Sequence, residues 1–215
     1  MAIEFLLWDN DGVLVDSEQL YYQASAEILA TLGVELYHAR FAELSLHSAQ
    51  GVFQLAPSED EAALRERRNA RYDELLAAAE DLVIDGVREV VSALAGSYRM
   101  AIASSSRPEH FHTIHARTGL LEHFEFALVK GDYERAKPHP DPWQAAMVRF
   151  GARPEQCLVI EDSPRGLQAA VAAGIRCVVV PSPFVGQHDW PGAHAVMTSI
   201  AELPALLDAL KQTQD

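Results

Sequence analysis

The chain has 215 residues, enough for one α/β domain with a sizeable insertion or for two small domains. Its 17 Lys and Arg against 31 Asp and Glu leave a formal charge of −14, a surface that repels nucleic acid and anionic membrane. No apolar run approaches the ~20 residues of a membrane span, and no charged segment followed by an apolar one opens the chain. The expectation is a soluble, cytoplasmic monomer with no nucleic-acid or membrane partner.

Ile3 to Trp8 is a short apolar run of the kind that makes a strand buried on both faces. It stops at Asp9-Asn10-Asp11-Gly12. Strand alternation throws Asp9 and Asp11 to one side where the sheet ends. Two carboxylates that near repel, and both stay ionised only with a cation or a developing positive charge between them. An Asp-rich turn would read the same over four residues, so the wider context has to decide.

Ser17 can cap a helix with Leu20, Ala24, Ile28, Leu29 and Leu32 at helical spacing, stopped by Gly33. From there to Ile84 no strand is expected. Residues 38–55 read as one or two short helices around Ser45-Leu46-His47-Ser48. Ser58 and Glu61 then form a Ser-x-x-Glu capping box for a helix running to about Glu80. Leu64, Ala70, Tyr72, Leu75 and Leu76 are its candidate buried positions, and most of Arg65, Arg67, Arg68 and Arg71 read as a solvated, ion-paired face.

Beyond Asp85-Gly86 strands and helices alternate. Helices are expected at 87–95, 109–118, from Asp141-Pro142 to Phe150-Gly151, from Ser163-Pro164 to Gly174, and at 199–210. Strands are expected at 98–103, 124–129, 157–160, 177–180 and 195–197. Cys157 and Cys177 sit in or beside such runs and read as buried free thiols with no chemistry. The alternation predicts an α/β doubly wound parallel sheet formed by residues 1–16 and 85–215. Residues 17–84 are a helical block inserted between its first two strands, read as a mobile lid.

Ligands of an open parallel sheet bind beyond the carboxyl ends of its strands. Asp9, Asp11, Ser104, Glu161 and Asp162 fall there, with Lys137 on a connection. Four carboxylates with one hydroxyl and one ammonium are untenable as a bare cluster. A hard cation such as Mg²⁺ and a phosphate dianion restore the balance. Oxygens of Asp9 and Asp162 suit Mg²⁺. Lys137 supplies a point charge, while Ser104 and the N–H groups of the following helix start can hold phosphate oxygens.

Four segments, in order, resemble the four motifs of the haloacid dehalogenase (HAD) superfamily: Trp8-Asp9-Asn10-Asp11-Gly12, Ile102-Ala103-Ser104-Ser105-Ser106, Lys137 in Arg135-Ala136-Lys137-Pro138, and Val159-Ile160-Glu161-Asp162-Ser163. The insert at 17–84 stands where that family places its helical type-1 cap. The resemblance implies that Asp9 is the nucleophile and Asp11 the general acid and base. Ser104, with Ser105 beside it, and Lys137 would bind phosphate. Asp9, Asp162 and the backbone carbonyl of Asp11 would hold Mg²⁺, with Glu161 supporting the metal shell.

It further implies an Mg²⁺-dependent phosphatase acting through an aspartyl-phosphate on a small phosphorylated metabolite, a sugar or organic acid phosphate. A sugar phosphomutase like β-phosphoglucomutase shares the core and cap type, and a silent HAD-like binding module is the third reading. The cap loop Ser45 to Gly51 departs from close relatives, lacking their glycine in place and any arginine; His47 is its candidate substrate contact. The missing arginine favours net hydrolysis over a mutase, which must grip a second phosphate. Residues 17–84 contain no lysine, which argues against a Schiff-base hydrolase of this family, and Asp11 argues against dehalogenation.

Overall fold

The computed structural model of the chain describes residues 2–48, 50–186 and 188–212. Six strands, β1 (Phe5–Trp8), β2 (Arg99–Ala103), β3 (Phe126–Leu128), β4 (Cys157–Glu161), β5 (Arg176–Val179) and β6 (Ala195–Val196), form one parallel sheet. Each falls where the sequence predicts a strand. Their order is β3-β2-β1-β4-β5-β6, so the winding reverses at β1. The central strands β1 and β4 are buried along their whole length, as continuous apolar runs require.

Period-two alternation splits β1 between two cores. Leu6 and Trp8 join Met100, Ile102, Leu158 and Ile160 under the helices α4 (Val87–Leu94), α5 (Pro108–His115) and α8 (Leu203–Gln212). Phe5 and Leu7 join Ala101, Val159 and Cys177 under α6 (Asp141–Phe150) and α7 (Pro164–Ala172). This is the doubly wound arrangement. Trp8 is core, its ring set edge-on to Phe124. Both cysteines are free and buried, and burial pushes the Cys157 thiol up to about 12 and the Cys177 thiol well above its ordinary value.

The register pairs Trp8 with Ile102 on one side and Ile160 on the other. Asp9, Ser104 and Glu161-Asp162 therefore leave the sheet near one edge, at the point where the winding reverses.

The inserted block holds α1 (Glu18–Ala30), α2 (His38–Phe41), a wider π turn through Ala42–His47, a 3₁₀ turn at Val52–Leu55 and α3 (Glu61–Ala78). Ile28, Leu29, Phe41, Leu44, Phe53 and Leu64 give it a cluster of its own, which Val185 from the loop after β5 joins. Its two connections run side by side: Asp16 N–H donates to Leu82 O at 2.7 Å and Ile84 N–H to Leu14 O at 3.1 Å. α3 makes a further seam against α5, where Tyr72 meets the His110 ring edge-on and Leu76 joins the same core.

Three helix starts differ from expectation. Ser17 has helical dihedrals and makes no cap bond, because its hydroxyl donates to Asp11 instead. α3 is capped by Asp60, not Ser58: one Asp60 oxygen accepts from the Ala62 and Ala63 N–H groups at 2.9 and 3.4 Å. Asp141 is the first residue of α6 rather than its cap, its carboxylate taken by the Arg135 backbone and guanidinium. Ser163 caps α7 as expected, accepting from Gly166 N–H. On α3, Ala70 is exposed and Arg68 is buried in line with Leu64, Tyr72 and Leu76. Of the arginine face expected to be mostly solvated, Arg68 is the buried exception.

Candidate active site

β1 delivers Asp9 into a tight loop. The carbonyl of Asn10 accepts from the N–H groups of Val13, Leu14 and Val15. Gly12, at φ +82°, passes so close to Asp162 that a Cβ there would stand 2.2 Å from Asp162 Oδ2. Only glycine meets both demands. The side chain of Asn10 is buried and tied to α5: His115 Nε2 lies 2.7 Å from its Oδ1, and His115 Nδ1 lies 2.9 Å from Thr118 Oγ1. That pairing fits a neutral ring, and burial pulls the His115 pKa down to about 4.

Lys137 Nζ bridges Asp9 Oδ1 at 2.8 Å and Glu161 Oε1 at 2.7 Å, all three being buried. Burial alone would neutralise the ammonium; the two carboxylates hold its pKa above the ordinary lysine value. Burial would likewise raise Glu161, but Lys137 and the bonds to Glu161 bring it down to about 2. Its Oε2 accepts from the backbone N–H groups of Asp162 and Ser163 and from Ser163 Oγ. Gly166 makes room for it, since a Cβ there would meet Glu161 Oε1 at 1.8 Å.

Burial, and then Glu161, push Asp9 well up, and burial, Glu18 and Glu161 do the same to Asp162. One oxygen of Asp162, Oδ2, is buried with no hydrogen-bond partner among the described residues. Asp9, Glu161 and Asp162 each offer an oxygen, and these lie within 4.8 Å of one another. Hard oxygens, an orphaned carboxylate atom and an excess of buried negative charge fit a hard divalent cation. Glu161 has both oxygens engaged by Lys137, Ser163 and backbone N–H groups, so Asp9 and Asp162 would be the ligands of such a cation and Glu161 their support.

Asp11 accepts from three hydroxyls: Ser17, Ser104 at 3.2 Å and Ser106 at 2.7 Å. It faces a cavity of about 670 Å³ between the sheet edge and the inserted helices. Ser105 and Ser106 line that cavity. Ser104 is fully buried beneath them and orients Asp11 and the Ser106 N–H. His47 does not line it: its Nε2 lies 3.2 Å from Val185 O and its ring lies 5.1 Å from that of His188. The expected substrate contact is thus replaced by a contact to the loop after β5. Ser45, Leu46 and Gly51 of the same loop do line the cavity; Ala49 lies outside the described residues.

Several cavity residues went unread in the sequence. Ser17 and Ser106 each follow an assigned motif residue closely, so the hydroxyl-rich runs were the available signal. Glu18 is buried, accepts from Ser182 Oγ, and burial and the nearby Asp11 raise it to about 7. Arg165 follows Ser163 by two residues and has a buried Nε with no partner among the described residues.

The family model described as haloacid dehalogenase-like hydrolase matches residues 6–180. The chain belongs to this family of hydrolases. It is 30% identical over 220 residues to protein CbbY of Cereibacter sphaeroides, covering 95% of each chain. It is 31% identical over 183 residues to the fructose-1-phosphate phosphatase YqaB of Escherichia coli, covering 81% of this chain and 95% of that one. Among solved structures, CbbY from Rhodobacter sphaeroides in complex with phosphate superposes with a TM-score of 0.78 at 26% identity, covering 96% of this chain and 99% of that one. No helix among the described residues is long and apolar enough to cross a membrane.

Proposed function

We propose that the chain is an Mg²⁺-dependent phosphatase, acting as a monomer on a small phosphorylated metabolite through a phosphorylated Asp9. The observation that carries this reading is Lys137 bridging Asp9 and Glu161 at the sheet edge, beside the orphaned oxygen of Asp162. Residues 1–16 and 85–215 act as the catalytic core and 17–84 as its lid.

Asp9 Oδ1 is held by Lys137 and by the Asn10 N–H at 2.7 Å, which leaves Oδ2 for attack on phosphorus. As the Oδ2–P bond forms, the bond from phosphorus to the leaving oxygen breaks. Asp11, protonated in the substrate complex, gives that oxygen its proton. Water then attacks the phosphorylated Asp9, loses a proton to Asp11, and inorganic phosphate leaves with the Asp9 carboxylate restored. The three hydroxyls that donate to Asp11 hold its carboxylate in place for both transfers. Lys137 holds charge of the transferring group. Asp9, Asp162 and the Asp11 carbonyl would hold Mg²⁺, which when bound would supply Lewis-acid stabilisation of charge on the phosphoryl group.

Hydrolysis rather than mutase chemistry is supported by the phosphatase named among the relatives. The lack of an arginine in the loop Ser45 to Gly51 weighs less against a mutase, because α3 brings Arg68 to the cavity from outside that loop.

Turnover of p-nitrophenyl phosphate tests the reading. Chelator should silence the protein and Mg²⁺ restore it. Asp9→Asn should retain less than about a thousandth of wild-type kcat, a barrier increase of about 4 kcal/mol. Full activity in metal-free buffer, or a more active Asp9→Asn, would overturn it.

A further inference from the structure

Two carboxylates account for only part of the setting of Lys137. An ammonium carries three N–H donors. Asp9 and Glu161 pair with it on one side, and its Nζ also lies 4.2 Å from the centre of the Trp143 ring. Among the described residues it has no other hydrogen-bond or ion-pair partner.

Trp143 is the third residue of α6, fully buried in the core it shares with Leu7, Ala103 and Val159. Its Nε1 is buried with no hydrogen-bond partner among the described residues. A buried indole N–H without a partner is costly, and a phenylalanine or leucine would fill the core without that cost. What tryptophan adds is the strongest π face of any side chain, and here that face meets a desolvated ammonium. The ring is not needed to hold the loop that carries Lys137. Tyr133 Oη donates to Ser104 O at 2.6 Å. Arg135 binds Asp141 through its backbone N–H at 2.9 Å and its guanidinium at 2.8 Å, closing the loop around Lys137. The backbone is fixed, while the flexible four-carbon stem of the lysine still has to be aimed.

We propose that Trp143 is a positioning residue: its indole face holds the Lys137 ammonium at Asp9 through both halves of the reaction. This rests on the phosphatase reading and gives the lysine of that site a third partner. Forming the Asp9 Oδ2–P bond turns the carboxylate into an uncharged acyl group, while the leaving oxygen takes the Asp11 proton. The pull of Asp9 on Lys137 falls at that point. Glu161 and the ring keep theirs, because neither changes charge. The ammonium therefore stays in place to face the phosphoryl oxygens until water restores the Asp9 carboxylate.

The test replaces Trp143 in the full chain with tryptophans carrying one to four ring fluorines, introduced by nonsense suppression. Each fluorine draws charge from the π face while the shape of the side chain hardly changes. With p-nitrophenyl phosphate and Mg²⁺, log kcat should fall in even steps, by about 10- to 30-fold in all, with KM little changed. Trp143→Phe should fall between wild type and Trp143→Leu. A packing role alone would lower Tm in Trp143→Leu and leave the fluorinated series flat, which would overturn the proposal. The contact itself is read by NMR of protein labelled with ¹³C at lysine Cε. Only Lys130, Lys137 and Lys211 contribute, so Lys130→Arg and Lys211→Arg assign the three signals. The ring should shift the Lys137 Hε signal upfield, and Trp143→Leu should return it. An unshifted signal would also overturn the proposal. If wild type does not hydrolyse p-nitrophenyl phosphate, the phosphatase reading fails, while the lysine signal still decides whether the ring holds the ammonium.

Discussion

Two glycines carry as much of the site as its acids do. Gly166 lets Glu161 lie against α7, and through Glu161 it sets the position of Lys137 on Asp9. Gly166→Ala would drive a methyl into Glu161 Oε1, so the carboxylate has to move. Overpacking of this kind costs about 1–3 kcal/mol. We expect that loss in urea unfolding, together with a fall in kcat larger than any fall in apparent phosphate affinity. A variant as stable and active as wild type would show that Glu161 can shift without consequence. At this scale the acids were legible, because each ends a recognisable apolar run. Arg68 was not, since an arginine among acids on a helix is ordinarily solvated, and its burial depends on Tyr21 and Phe53 from elsewhere in the insert. His47 shows the opposite error. Its motif position suggested substrate, yet the loop after β5 supplies an acceptor nearer to hand.

Elements were easier to read than their ends. All six strands and the long helices follow from periodicity, which reports burial averaged over many residues. Caps depend on one side chain and on what competes for it. Ser17 is diverted to Asp11, and Asp141 to Arg135, neither of which local sequence can reveal. At α3 both Ser58 and Asp60 fit an N-cap, and only the dihedrals choose Asp60. Asp60→Ala should therefore cost about 1 kcal/mol in urea unfolding, while Ser58→Ala should be nearly neutral. The reverse ranking would restore the capping box at Ser58.

The molecule as a whole couples stability to the site through α5. His115 is neutral in the fold with a pKa of about 4, against an ordinary value of 6.5 in the unfolded chain. The unfolded state thus binds the extra proton first as pH falls. The contribution of His115 is complete above pH 6.5 and is lost progressively towards pH 4. Between pH 7 and 5 the wild type should lose about 2 kcal/mol from this source. Denaturant unfolding at both pH values should show a smaller loss in His115→Gln, whatever its stability at pH 7. Equal losses in the two proteins would remove His115 from the account. The same ring steadies Asn10 between Asp9 and Asp11, so acid should loosen the site before the sheet.

The central claim is that phosphate passes through Asp9. Mixing enzyme with an active phosphate ester and Mg²⁺, quenching within a turnover and reducing with borohydride converts an acyl phosphate to the alcohol. Mass spectrometry of the N-terminal peptide should then find homoserine at position 9, absent without substrate and absent in Asp9→Asn. Full turnover with residue 9 unmodified, or with the label on another residue, would contradict the mechanism.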